Sequence, residues 1–324
     1  MNKSHNRGIY TDLITQYIAY KRSLGFKMDD TDERLRRFDR LTIERGENSI
    51  GISKELFDAW ITIGSIESDY NRCHRICILK GFSIYLQQLG YESYIPKLNK
   101  CRSNYIPYIY TKAEINAILH ECDKLILKKS NIPSCKFAMP ALIRMLYGTG
   151  IRVGEAIKLT HRDVDLNTGV LILRECKNGQ DRLVPMSLSL REVCKDYIAN
   201  KQMVGLSVED DDVFFTKNNG ERCNVITVYT LFRTVLLRAG IGHGGRGKGP
   251  RLHDLRHTFC VYALAKMSED GMDLYYSLPI LMTYVGHKSL EATNRYVRMV
   301  KDMYPKLLSQ VNEFYKCVFP EIEV

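Results

Sequence analysis

No stretch of this 324-residue chain approaches the ~18 consecutive apolar residues that a membrane-spanning helix requires, which excludes a membrane bundle. The opening residues, MNKSHNRGIYTDLITQY, are polar from the start and lack the apolar core of an export signal. A cytoplasmic protein is expected. There is no internal repeat and no CxxC pair among the ten cysteines, and a chain of this length needs no disulfide framework, so reduced thiols are expected. Cys73–His74–Cys77 has the outline of a zinc half-site, but no second ligand pair follows. A four-residue spacing is also what one helix face produces. Nothing resembling a cluster of acidic metal ligands is present. Apolar residues at 45% and charged residues at 26% are ordinary for a globular protein, which excludes a disordered tail and a collagen-like rod.

What the chain does have is positive charge in both halves. It carries 47 Lys and Arg against 37 Asp and Glu, a net charge of +10. The first 110 residues hold an excess of +4 and the remainder +6, so no single basic tail accounts for the balance. A basic surface spread along the chain suits a protein that grips a polyanion, although an ordinary basic protein would show it too.

The length predicts about two domains. Residues 1–91 read as four short amphipathic helices. Their apolar stripes are Leu13, Tyr17, Tyr20 and Leu24; Leu35, Phe38 and Leu41; Leu56, Trp60 and Ile63; and Ile76, Leu79, Phe82, Leu86 and Leu89. Gly25, Gly46, Gly64 and Gly90 stop them, and Ser53 is placed to cap the third. Residues 92–110, with two prolines and no helical period, read as a linker. Residues 111–324 form the second domain. Thr111 and Glu114 make a capping box for a helix, and another spans about Cys135 to Tyr147. The runs GVLILRE and DRLVPM are β-rich, and the Asn178–Gly179 turn between them predicts a hairpin. Helices follow at about 187–202, 224–238, 253–267, 277–284, 289–298 and 301–316. The last carries the stripe Leu307, Val311, Phe314, Tyr315 and Val318.

Two glycine-rich stretches fail as nucleotide sites. Gly148–Thr149–Gly150 would need a third glycine where Val153 stands, and no strand precedes it. The loop Gly242–Gly249 lacks the Gly-Lys-Ser/Thr ending of a phosphate-binding loop. Three segments carry more. Arg152 follows a tight turn at a helix start, where both guanidinium and helix end favour phosphate; the plain alternative is a surface arginine. In RLHDLRHTFCVYALAKM, Leu255, Phe259, Tyr262 and Ala263 read as a buried stripe. His253 and Arg256 share the other face, where they either converge on a phosphodiester or sit in solvent. His257 is read as pointing elsewhere. In LMTYVGHKSLEATNRYVRM, Gly286 ends a helix, His287 lies in the turn before the cap Ser289, and Tyr296 falls in the next helix. A free phenol is only ~0.1% ionised at neutral pH, so Tyr296 would attack only among cationic and hydrogen-bonding neighbours.

In this order, YGTGIRVGEAIKL, CKNGQDRLVP, HDLRHTF and VGHKSLEATNRY resemble the signature boxes of the tyrosine recombinase (phage integrase) family. The resemblance covers roughly residues 105–300. It departs from the usual pattern at Val285, where leucine is commoner, and in the 242–249 insert. Residue by residue it implies a catalytic set of Arg152, Lys177, His253, Arg256, His287 and Tyr296. It further implies a mostly α fold with a small β-hairpin sheet, arranged as a two-domain DNA clamp: a helical core-binding domain and a catalytic domain. The implied activity is site-specific recombination, in which Tyr296 attacks the scissile phosphate to give a 3′-phosphotyrosyl intermediate. His253 is the expected proton acceptor, Lys177 the expected proton donor to the leaving 5′-oxygen, and His287 a further donor to the phosphate. No metal, ATP or other cofactor is expected. The implied partners are double-stranded DNA with inverted-repeat sites and further recombinase protomers, in a homotetramer on two duplexes. Two other readings stand beside this one: a type IB topoisomerase-like enzyme and a catalytically silent DNA-binding regulator.

Overall fold

The computed structural model describes residues 8–62, 67, 69–98, 106–125, 133–174, 181–245, 249–287, 289, 293–294 and 296–297. The chain divides into two compact units, residues 1–105 and 106–324. Ile63 and Gly64, the Lys177–Gln180 turn, residues 246–248 and the helix expected over 301–316 lie outside the described residues.

The first unit is helical: α1 (Thr11–Ser23), α2 (Asp29–Glu44), α3 (Lys54–Thr62) and α4 (Asp69–Gln88). Ser53 caps α3, its hydroxyl accepting the Leu56 N–H at 3.1 Å. The core is aromatic. Phe82, fully buried, meets the rings of Tyr10 and Tyr17 edge-on at 5.8 and 5.5 Å, and Phe38 meets Trp60 at 5.5 Å. The stripes of α2 and α4 point inward as their spacing predicts, apart from the exposed Leu89. That of α1 is rotated: Ile14, Tyr17 and Ile18 are buried, while Tyr20 and Leu24 face solvent. The Lys21 ammonium lies over the rings of the exposed Tyr20 and Phe26 as well as the buried Tyr17, so Tyr20 and Phe26 form an amphipathic rim at the edge of the core. Cys73 is disulfide-bonded, against the expectation of reduced thiols throughout; Cys77, Cys122, Cys135, Cys194, Cys223 and Cys260 are free. His74 faces Asp30 at 3.6 Å. Neither arrangement is that of a zinc site.

Both ends of the stretch 92–110 are packed. Ser93 and Tyr94 hydrogen-bond to Ile52 in the first unit. Tyr110, fully buried, belongs to the second: its N–H donates to Thr258 Oγ1 and its hydroxyl to the Arg251 carbonyl, both at 3.0 Å.

The second unit opens with α5 (Lys112–Asp123), capped by the Thr111–Glu114 box as expected. A single 3₁₀ turn over Cys135–Phe137 leads into α6 (Met139–Thr149), and the short α7 (Val153–Ala156) follows. The sheet is antiparallel, β1 (Val164–Asp165), β2 (Val170–Leu173) and β3 (Arg182–Pro185) in that order, with Leu171 opposite Val184. The hairpin strands are thus as expected, and β1 is an addition. Then come α8 (Leu188–Met203), α9 (Val225–Arg238), α10 (Asp254–Glu269) and α11 (Leu274–Val285).

The helix α10 packs against α6 and α11 and is buried on nearly every side. Asp254, Arg256, His257, Thr258 and Cys260 are all buried, whereas Phe259, Tyr262 and Ala263 of the expected stripe are only partly so. Of the two readings of the His253–Arg256 face, the solvated one fails for Arg256, which lies in the interior, while His253 at the head of the helix stays exposed.

Candidate active site

The site begins where α6 ends. Gly150 adopts φ +63°, and a Cβ there would fall 2.3 Å from the Phe259 ring, so only glycine closes this turn against α10. The turn delivers Arg152 to the start of α7. Its N–H donates to Glu155 Oε2 at 2.9 Å and its Nη1 to Oε1 at 2.7 Å. Glu155 also receives Arg182, the first residue of β3, at 2.7 Å on Oε2 and 3.2 Å on Oε1. Burial alone would raise the pKa of this carboxyl, but the bonds to Arg182 and Arg152 outweigh it and hold the value at about 2. One carboxylate therefore fixes two guanidiniums.

Arg256 sits in the first turn of α10 and is 2% exposed. Its Nη1 donates to the Gly150 carbonyl at 2.7 Å and its Nη2 to the Val285 carbonyl at 2.6 Å. These bonds tie the ends of α6 and α11 to α10. Burial, with the neighbouring Arg152 charge, lowers its pKa to about 10, which still leaves it protonated at neutral pH. Among the described residues its hydrogen-bond partners are carbonyls and not carboxylates, and Glu155 acts on it only through its field.

His253 caps α10 at the surface of the site. Its pKa is brought down to about 4 by desolvation and by the charges of Arg256 and Arg152, so the ring is neutral at pH 7. One helical turn on, His257 meets the His253 ring edge-on, with centroids 4.9 Å apart. At the other border Gly286, at φ +67°, ends α11; a Cβ here would lie 3.0 Å from the Arg182 guanidinium. The Gly286 carbonyl lies 3.4 Å from Arg152 Nη2. His287 follows, and its ring stacks on Tyr296 at 6.0 Å while Nδ1 lies 3.0 Å from Thr293 Oγ1. Tyr296 is 2% exposed; its hydroxyl is 2.8 Å from His257 Nδ1 and hydrogen-bonds the Cys260 thiol.

Five of the six expected residues, Arg152, His253, Arg256, His287 and Tyr296, thus gather around the start of α10. Lys177 lies outside the described residues. Three further residues belong to the same cluster. Glu155, three positions after Arg152, and Arg182, directly after the hairpin turn, were legible only as ordinary charges. His257 does not point away, as its adjacency to Arg256 suggested. It is four residues from His253, and on a helix that spacing stacks two side chains on one face. The arrangement sets three guanidiniums, only one carboxylate and three imidazoles beside a phenol, suited to an anionic centre that is attacked by an oxygen nucleophile. Among the described residues no group of three His, Cys, Asp or Glu could hold a metal ion.

Residues 109–302 match the Phage integrase family. The chain belongs to the phage integrase family of tyrosine recombinases. The family's members are enzymes of DNA recombination and integration. Along its length the integrase-family chain is 28% identical over 295 residues to the integrase/recombinase designated y4rB of Sinorhizobium fredii, covering 89% of this chain and 92% of that protein. It is 28% identical over 184 residues to the tyrosine recombinase XerA of Pyrococcus furiosus, covering 56% and 57%. The fold is similar to that of the Tn1549 transposon integrase in complex with a circular intermediate DNA, with a TM-score of 0.63 at 18% identity, covering 88% of this chain and 94% of that one. It is also similar to a lambda integrase dimer bound to a core site, with a TM-score of 0.57 at 16% identity over 86% and 95%. Among the described residues no helix is long and apolar enough to cross a membrane.

Proposed function

We propose that this chain is a site-specific DNA recombinase that cuts and rejoins duplex DNA through a 3′-phosphotyrosyl intermediate. The observation that carries the reading is the gathering of Arg152 and Arg256 beside Tyr296, three residues spread over 144 positions of sequence, with no carboxylate among the described residues hydrogen-bonded to Arg256. A buried guanidinium so placed has its use where a dianionic phosphorane forms.

In this reading the Tyr296 oxygen attacks phosphorus, the bond to the 5′-oxygen breaks, and Lys177 supplies the proton that the departing 5′-hydroxyl needs. Arg152 and Arg256 take up the charge on the nonbridging oxygens, the role metals play in many nucleases. Neutral His253 donates a hydrogen bond to the same phosphate, and His287 is a further donor to it. A 5′-hydroxyl from a second duplex then reverses the step, and because each phosphodiester broken is replaced by another, no ATP is consumed. Strand exchange between two duplexes calls for several protomers, which favours a tetramer on inverted-repeat sites. The DNA named in the complexes of the structural neighbours supports duplex DNA as the partner.

The test is covalent capture from a pool of nicked duplexes of randomised sequence. The wild-type protein should yield denaturant-resistant adducts whose phosphopeptide contains Tyr296, and Tyr296→Phe should bind the same duplexes without forming any. An adduct that persists in the variant removes Tyr296 from the role. Binding without adduct by the wild type would mark a silent regulator. Relaxation of supercoiled circles with no recombinant product, from two copies of the captured duplex, would mark a topoisomerase.

A further inference from the structure

The proton that Tyr296 must shed has a nearer acceptor than His253. Its hydroxyl is 2.8 Å from Nδ1 of His257, and both side chains are buried, at 2% and 8% exposure, so bulk water does not compete for the proton. We propose that His257 is a catalytic residue, the general base that takes the phenolic proton during strand cleavage and returns it during resealing. This rests on the recombinase reading above.

The competing acceptors are weaker on the same geometry. His253 meets the His257 ring edge-on with centroids 4.9 Å apart, and it is the His257 ring that lies tilted against Tyr296, at 5.6 Å, with its Nδ1 on the hydroxyl. The thiol of Cys260 also touches the hydroxyl, but burial raises its pKa to about 11, so it remains a protonated thiol. His287 lies flat against the Tyr296 ring and turns its Nδ1 to Thr293. Among the described residues, the groups around His257 and the Tyr296 hydroxyl are His253, Arg256 and Cys260 from α10 and Tyr296 with the stacked His287 from the following segment. Arg152 and Glu155 act from the start of α7 through their fields at His253 and Arg256. Two guanidiniums against one carboxylate leave a positive field, in which the phenolate oxygen is stabilised as it forms.

For Nδ1 to accept, the neutral ring carries its proton on Nε2. As the bond from Tyr296 oxygen to phosphorus forms, the O–H bond breaks and the proton moves to Nδ1. The phosphorus–5′-oxygen bond breaks, and its electron pair leaves with the oxygen, which takes a proton from Lys177. In resealing, the incoming 5′-hydroxyl gives its proton to Lys177, the phosphotyrosyl bond breaks, and the phenolate recovers the proton from His257. Nothing is consumed over the two steps.

His257→Asn keeps a polar atom near the position of Nδ1 but cannot carry a proton; His257→Ala removes both. The measurement is the single-turnover rate of adduct formation on a duplex recovered by covalent capture, taken across the neutral pH range, with DNA affinity and melting temperature measured alongside. The asparagine variant should bind and melt like the wild type, yet form the adduct ~10²–10⁴-fold more slowly. Its rate should rise in proportion to hydroxide where the wild-type rate has levelled off, and added imidazole should restore part of the alanine variant's rate. An asparagine variant with the wild-type rate, or one that is slow but keeps the wild-type pH profile, overturns the proposal and leaves the recombinase reading intact. A wild-type protein that forms no Tyr296 adduct overturns both.

Discussion

In the N-terminal unit the few buried polar side chains hold backbone in place. Asp39 accepts the Tyr10 N–H at 2.9 Å and the Thr11 hydroxyl at 2.6 Å, fixing the start of α1 on α2. Arg75 lies against the Trp60 ring, donates to the Trp60 carbonyl at 2.6 Å and is paired with Glu67. In the second unit the helix α10 also buries an arginine. Arg256 likewise donates to backbone carbonyls, but it has a second cation, Arg152, as a neighbour instead of a carboxylate partner. The lesson lies in the charge balance. A buried guanidinium that is paired serves the fold, and one left positive beside another cation keeps a place for an anion.

The comparison can be broken most forcefully at the aromatic core. Phe82→Ala should destabilise the N-terminal unit by about 4 kcal/mol, since it removes a fully buried ring. The chain's one tryptophan, Trp60, lies in this same core, so denaturant unfolding followed by its fluorescence reads this unit. An unchanged midpoint would show that the aromatic cluster is not what holds the bundle. Arg256→Ala should behave in the opposite way. The Trp60 transition should stay in place, while adduct formation falls ~10²–10³-fold, the loss seen for a single electrostatic donor. Arg75→Ala is the control: it should move the Trp60 transition.

Glu155 sharpens the contrast through pH. Its folded pKa of about 2 lies below the ordinary 4.5, so its contribution is full above pH 4.5 and is lost as pH falls from there towards 2. The shift corresponds to about 3 kcal/mol. Acid titration followed by tyrosine circular dichroism should show this loss in the wild type, and Glu155→Gln should abolish that part of the pH dependence. The smallest effect is expected at the cap of α5. Thr111→Ala removes the cap of α5 and should cost about 1 kcal/mol, measured by thermal melting, with the adduct rate unchanged.

Most of the helices were legible along the chain because a helix that lies on one core writes a 3.6-residue period into its sequence. The stripe Leu35, Phe38, Leu41 is an instance. The stripe of α10 was only partly right for the same physical reason: a helix covered on nearly all sides has little polar face, so the spacing placed Leu255 in the interior but did not foresee Arg256 and His257 there. In α1, Tyr20 and Leu24 misled because large side chains with a nearby lysine can form a surface rim as well as a core.

By itself the sequence determined the caps at Ser53 and Thr111, the hairpin strands and the order of residue types that resembles the recombinase boxes, because each depends on neighbours within a few positions. Only the tertiary structure decided which of those residues meet. Glu155 becomes the clamp between two arginines because β3 brings Arg182 back across 27 positions. His257 reaches the Tyr296 hydroxyl across 39, because α11 and the turn at Gly286 fold the chain back onto α10. Chain closures of that span are set by the packing of whole helices, and no local pattern in the sequence encodes them.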